Sequence, residues 1–197
     1  INEPGYRPNV AARSLTTQQS KLVGYIVSDI TNTFFAEIMR GIEDVLMSKN
    51  YSIMVCNTNE ILEREEYYID ILLKQGVDGI IAAATSQNWK ALNAAEKLNT
   101  PIVLLDRTFE NATSLYVGVN NQRGAYHGTK HLIECGHKDI GILSGFQRLS
   151  TMRERLNGYK IAMEEFDLPI REAWSLSSPL SIEDGKQKIK ELMSLED

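Results

Sequence analysis

A change of hydrophobic period, repeated along the whole chain, limits the folds open to this sequence. Leu22–Val27 (LVGYIV) is a short, almost wholly apolar run. Such a run suits a parallel strand covered on both faces. Over residues 34–49 the period becomes helical, with Phe35, Ile38, Met39, Ile42, Val45 and Leu46 on one face. Asn50 stops that helix, and residues 51–56 read as a second strand. The cycle then recurs. Residues 61–75 read as a helix ended by Gly76, 78–83 as a strand, 89–98 as a helix with Trp89, Leu92 and Ala95 inward, and 102–105 as a strand. An extended piece at 115–119 precedes a helix at 123–135. A strand at 140–144, a helix at 152–166, a weak strand at 174–176 and a helix at 181–195 complete the pattern, with Ser181 as N-cap and Asp184 three residues on. Alternation of this kind predicts an α/β fold, a doubly wound parallel sheet with right-handed crossovers.

Ligands in such sheets bind beyond the carboxyl ends of the strands. That rule selects residues 28–35, 57–60, 84–88, 106–109 and 145–155. Within them, Asp106 and Arg107 directly follow the IVLL strand. A carboxylate accepts and a guanidinium donates, so together they can grip neighbouring hydroxyls of a polyol. Asn32, Phe34 and Phe35 follow the first strand. An aromatic face packs the C–H side of a sugar ring while an amide bonds its hydroxyls. Arg155 lies beyond the 140–144 strand. Each has a structural alternative: Phe35 as core, Asp106–Arg107 as an internal ion pair, Arg155 as surface. Jointly, on one side of a sheet, they read as a polar ligand pocket.

Enzyme signatures are missing: the sequence contains no GxSxG, Walker A loop, HExxH or CxxC, and the turn after Val27 reads SDITNTFF rather than GxGxxG. The expectation is a non-enzyme without cofactor or metal. His127 and His131 are four apart, but only Cys135 stands near them as a further ligand, so they read as solvated or capping groups. Cys56 and Cys135 read as buried reduced thiols. The net charge is −5, which confines any DNA contact to a local patch. The N-terminal stretch supplies one, with Arg7, Arg13 and Lys21 against Glu3 alone. Residues 6–15 start with a turn and continue as one or two helical turns, too few to persist in water without a partner. From composition alone the same stretch reads as a disordered linker. No apolar run of about 18 residues and no leader-like segment occurs, so a cytoplasmic protein with no membrane partner is expected.

Several long motifs then point to a family. GYRPNVAARSLTTQQSKLVGYIVSDITNTFF, RGIEDVL, QGVDGII, PIVLLDR, HLIECGHKDIGILSG and RERLNGYKIAM resemble, in order and spacing, the lactose/galactose repressor family of bacterial transcription regulators. The body motifs are also similar to ribose-type periplasmic binding proteins; the hinge motif is not. The resemblance implies a periplasmic-binding-protein-like fold: a hinge at residues 1–21 after an absent helix-turn-helix, a first effector-binding subdomain at 22–137, and an incomplete second one at 138–197. It implies a repressor that binds a monosaccharide or sugar acid between two subdomains, with a transport sugar-binding protein as the alternative reading. Leu15 matches the leucine that wedges into the operator minor groove, and Asn9, Ala12 and Arg13 match positions in or beside that groove. Phe34, Asp106 and Arg155 match effector contacts, Asn32, Phe35 and Arg107 the further contacts of ribose-type proteins, and Thr151 a pocket position in some members. A pentose, hexose or sugar acid is favoured over a purine. A homodimer is implied, paired through residues 34–49 and 51–56. Thr33 stands where the usual NPFF has proline.

Overall fold

The apolar runs pair as the periodicity requires. In the computed structural model, which describes residues 19–85, 90–109, 112–177 and 181–194, strands β1 (Leu22–Val27), β2 (Ser52–Asn57), β3 (Gly79–Ala82), β4 (Ile102–Leu105) and β5 (Leu115–Val117) form one sheet in the order β2-β1-β3-β4-β5. Every pairing is parallel. The order runs outward from β1 first to β2 and then back to β3 and onward, so the switch point of the doubly wound sheet lies between β1 and β3. The last four residues of β1 are all buried, which explains why that strand carries no polar alternation.

Helices cover both faces. Helices α2 (Leu62–Lys74) and α3 (Lys90–Lys97) place Ile69, Leu72, Leu92 and Ala95 against Ile26, Cys56, Ile80, Ala82 and Leu104. Helix α1 (Thr33–Ser48) covers the other face, with Phe35, Ile38, Met39 and Ile42 against Tyr25, Val27, Ile81 and Leu105. Each fully buried Leu or Ile contributes roughly 1.5–3 kcal/mol. Helix ends follow their punctuation: Asn50 takes a left-handed φ of 58° after α1, and Gly76 one of 65° after α2. Gly24 has a packing reason instead. Its missing Cβ leaves room for Leu72, whose methyls lie 2.5 and 2.9 Å from where that carbon would stand.

This first unit ends at Val117, and a second compact unit begins at Gly118. The second holds α4 (Asn121–Glu134), β6 (Ile142–Ser144), α5 (Ser150–Glu165), a 3-10 turn at Glu172–Trp174, β7 (Ser175–Ser177) and α6 (Ile182–Met193). Strands β6 and β7 pair in parallel. Its core sets Ile140, Tyr159 and Met163 against Ile133, Leu156 and Leu168. The sequence places a boundary after residue 137, whereas the contacts divide the chain before α4. The reason is local: α4 and α5 approach backbone to backbone at Gly158, where an added Cβ would stand 2.0 Å from the Gln122 carbonyl oxygen. The Ser181 cap forms as expected, its hydroxyl accepting from the Asp184 N–H at 3.1 Å. One cysteine departs from expectation: Cys56 is buried, with its thiol pushed up to about 11 by burial, whereas Cys135 is exposed at the end of α4.

Candidate functional site

In the first unit the chemistry collects at the carboxyl edge of the sheet, where β1, β2, β3 and β4 each hand over to a loop. The turn after β1 is built from short-range polar bonds. Asp29 Oδ1 accepts from the Thr31 N–H at 2.8 Å and from its hydroxyl at 2.7 Å. Asn32 accepts from the Phe34 N–H at 3.1 Å and so caps α1. Its amide oxygen therefore has a structural task besides any ligand contact. The two aromatics that follow divide their roles. Phe35 is 3% exposed and lies in the core, whereas Phe34 is 44% exposed and offers a ring face at this edge. Their rings meet edge to face at 5.1 Å. Beneath them the Tyr25 hydroxyl donates to the Phe35 carbonyl at 3.3 Å, and burial, aided by the Asp106 charge, pushes it up to about 12.

Asp106 and Arg107 sit where the sheet rule puts them, directly after β4. Asp106 is left-handed at φ 63°, its N–H donating to the Val117 carbonyl at 2.8 Å and its carbonyl accepting from the Tyr116 hydroxyl at 3.1 Å. A non-glycine residue in that region holds only when its surroundings over-determine it. Arg107, 5% exposed, does not pair tightly with its neighbour: Nε stands 3.8 Å from Asp106 Oδ2, beyond hydrogen-bond length. Its terminal nitrogens instead clasp Glu60, Nη2 to Oε1 at 2.6 Å and Nη1 to Oε2 at 3.0 Å, and Nη1 also donates to the Ala84 carbonyl at 3.1 Å. Asp106 and Arg107 are thus each held individually.

A second, fully internal layer supports this arginine. The Glu65 carboxylate, 1% exposed, accepts from the Thr85 N–H, and the Thr58 and Thr85 hydroxyls bond at 2.7 Å. Burial raises the Glu65 carboxyl above its ordinary value; the bonds from Thr85 and the Arg107 charge oppose this, while Glu60 adds to it. Ser28 Oγ, Glu65 Oε1 and Arg107 Nε are buried without a hydrogen-bond partner. Sequence reasoning selected the segments containing Thr58, Glu60 and Thr85 but missed their roles, and missed Glu65 altogether. Glu60 was findable by the strand-end rule; Glu65 was hidden because a glutamate in the first turn of a helix ordinarily reads as solvated.

The second unit places Arg155 on an exposed turn of α5, where its Nε donates to Asn121 Oδ1 at 2.8 Å. Asn121 is buried at the start of α4 and donates on to the Val119 carbonyl at 3.3 Å. Both line an open depression of about 740 Å3 whose walls include Val119, Ala125, Ile142 and Met152. Thr151, by contrast, is 2% exposed and is packed inside the unit. Asn121 is another residue the sequence reading passed over, although it stands at a strand-to-helix turn. Along α4, Arg123 Nε donates to His127 Nε2 at 3.3 Å, and His131 Nε2 contacts Cys135 Sγ at 3.8 Å. Among the described residues no group of three or more His, Cys, Asp or Glu could hold a metal ion. Asn9, Ala12, Arg13 and Leu15 lie outside the described residues.

Comparison with known proteins adds to this geometry. The family model described as periplasmic binding proteins and sugar binding domain of LacI family matches residues 20–196. The HTH-type transcriptional repressor PurR of Actinobacillus pleuropneumoniae is 32% identical over 196 residues, which are 100% of this chain and 58% of PurR. The chain therefore spans less than two thirds of that relative. A solved structure from Burkholderia thailandensis, described as a ribose operon repressor, is 36% identical with a TM-score of 0.77 over 81% of this chain and 61% of that one. The transcription regulator CcpA of Lactococcus lactis is 30% identical with a TM-score of 0.80 over 87% of this chain and 64% of that one.

Proposed function

The chain belongs to the LacI family of regulators, within the periplasmic-binding-protein group, and from that premise we propose that it is the effector-sensing portion of a transcriptional repressor whose effector is a monosaccharide. The observation that carries the sugar reading is the exposed Phe34 ring sharing the sheet's carboxyl edge with the carboxylate of Asp106, whose backbone is held by Val117 and Tyr116. An aromatic face and an ionic acceptor beside it suit a ring with one C–H face and a hydroxyl rim. In this reading Asn32, Phe34 and Asp106 are effector contacts of the first unit, with Arg107 acting through the Glu60 carboxylate it holds; Arg155, with Thr151 as support, is the candidate contact of the second unit taken by itself. Phe35 contributes by fixing the position of Phe34. D-ribose is the first ligand to test, since the 36%-identical relative is described as a ribose operon repressor.

In the same reading Asn9, Ala12, Arg13 and Leu15 meet operator DNA, and the protein works as a homodimer in the cytoplasm. Val45 and Met47 on α1 and Val55 on β2 are exposed apolar side chains on the elements expected to pair. No helix among the described residues is long and apolar enough to cross a membrane. A ligand acts on such a protein by binding one arrangement better than another.

A thermal-shift screen tests the effector class. Neutral monosaccharides, sugar acids and purine bases are added separately to the protein. A ligand present at 100 times its Kd stabilises by about 2.7 kcal/mol. A rise in melting temperature with a monosaccharide is expected. A rise with a purine base alone would replace the sugar by a nucleobase, and no rise with any of them would remove the small-polyol reading.

A further inference from the structure

Resting on the effector reading above, we propose that Glu60 sets the charge selectivity of the first unit's strand-end site, so that the site takes a neutral polyol and rejects sugar acids and sugar phosphates. The basis is what the cluster shows to a ligand. The Arg107 side chain is 6% exposed, whereas its two carboxylate neighbours show more, 28% for Glu60 and 11% for Asp106. The guanidinium would ordinarily be a forked anion receptor. Here its end-on fork is already occupied: Nη1 and Nη2 both go to Glu60, and a further N–H of Nη1 goes to the Ala84 carbonyl, while the unbonded Nε is buried 3.8 Å from Asp106 Oδ2. What remains accessible is acceptor oxygen.

The charges point the same way. Arg107 carries one positive charge against the carboxylates of Glu60 and Asp106, and the deeper Glu65 is held toward its neutral form by burial. The cluster is therefore net negative. Hydroxyl groups can donate to the Asp106 and Glu60 oxygens. A ligand carboxylate or phosphate brings only acceptors, meets those oxygens with like charge, and finds the end-on fork of Arg107 taken and its Nε buried. Placement supports a selective role as well as a structural one. Glu60 is only partly buried in the loop after β2, so its carboxylate both anchors the arginine and reaches the edge that a ligand would approach.

Two measurements on wild type and Glu60→Gln test this. The first is calorimetric titration with D-ribose, D-ribose 5-phosphate and D-gluconate. Wild type should bind D-ribose at least about tenfold more tightly than either anion, and Glu60→Gln should bind D-ribose 5-phosphate about tenfold more tightly than wild type does. Wild type binding D-ribose 5-phosphate as tightly as D-ribose would overturn the proposal without help from any variant. The second needs no sugar: melting temperature in potassium phosphate against potassium chloride at matched ionic strength. Phosphate should stabilise Glu60→Gln specifically, because Arg107 then has a freed fork, and should leave wild type and Glu60→Asp indifferent. Equal response of wild type and Glu60→Gln to phosphate would overturn the proposal. If wild type binds no sugar, the effector reading fails, while the phosphate comparison still decides whether Glu60 excludes anions.

Discussion

Replacing Gly158 by alanine should destabilise the second unit, although the same change in an open helix position stabilises. Gly158 lies in the interior of α5, where alanine is favoured over glycine by about 1 kcal/mol of helix propensity. Against this stands the approach of α4. An added Cβ would lie 2.0 Å from the Gln122 carbonyl oxygen and 2.9 Å from both the Gln122 carbonyl carbon and the Tyr126 nitrogen. These are backbone atoms and cannot swing aside as a side-chain end can. The two helices must separate by about 1 Å or more to reach ordinary contact. That shift loosens the cluster of Tyr159, Met163 and Ile133. Overpacking of this kind costs typically 1–3 kcal/mol and sometimes more, and the upper end applies where backbone meets backbone. The net expectation is a loss of about 2 kcal/mol. Gly41, inside α1, has nothing within 4 Å of its would-be Cβ. Gly41→Ala should therefore gain up to about 1 kcal/mol. Urea unfolding followed by far-ultraviolet circular dichroism, compared at equal m-value, reads both. If Gly158→Ala matches Gly41→Ala in direction, the close packing of α4 on α5 is wrong, and with it the reason for grouping α4 with the second unit.

Phe35→Ala should cost roughly 3–5 kcal/mol of stability, since the ring is 3% exposed within the α1-side core; Phe34→Ala, at 44% exposure, should leave stability within about 0.5 kcal/mol and act on sugar affinity instead. Glu65→Gln should change the pH profile of stability. The folded state holds the Glu65 proton more tightly than an unfolded chain does, because burial raises this carboxyl above its ordinary 4.5. Wild-type stability should thus fall as pH rises from about 4.5 toward the raised folded value, and then level off. Glu65→Gln should lack that slope, and parallel profiles for the two proteins between pH 4.5 and 8 would show that Glu65 is ionised in the fold.

Periodicity was enough for the fold. Unbroken apolar runs became parallel strands, β1 above all, and the helical stripe from Phe35 to Ile42 became the face that packs on them. The strand-end rule placed Asp106 and Arg107 directly after β4, and Phe34 and Arg155 in the opening turns of the helices that follow β1 and β6, because chain direction alone decides which end of a parallel strand a connection leaves. What periodicity could not supply was partner choice. Arg107 chooses Glu60, 47 residues earlier in the chain, over adjacent Asp106, although β1 and β3 stand between β2 and β4 in the sheet: the long guanidinium side chain reaches along the carboxyl edge to the loop after β2. Arg155 chooses Asn121, from a helix the sequence reading began two residues late. Glu65 was invisible for a similar reason: only the covering loops distinguish a buried glutamate from a solvated one.

In the proposed function, the carboxyl edge of the first unit recognises a sugar through Asp106. Asparagine tolerates the left-handed backbone at that position and keeps the shape, so Asp106→Asn removes the carboxylate with little strain. The most direct measurement is calorimetric titration of D-ribose into wild type and Asp106→Asn, with their ligand-free melting temperatures beside it. Loss of a charged acceptor to a bound hydroxyl costs about 1.5–3 kcal/mol, some ten- to hundred-fold in affinity. That loss of affinity is expected, with a melting temperature changed by no more than a few degrees. Equal D-ribose affinity in the two proteins would contradict it, and would leave Asp106 with a purely structural part in the turn after β4.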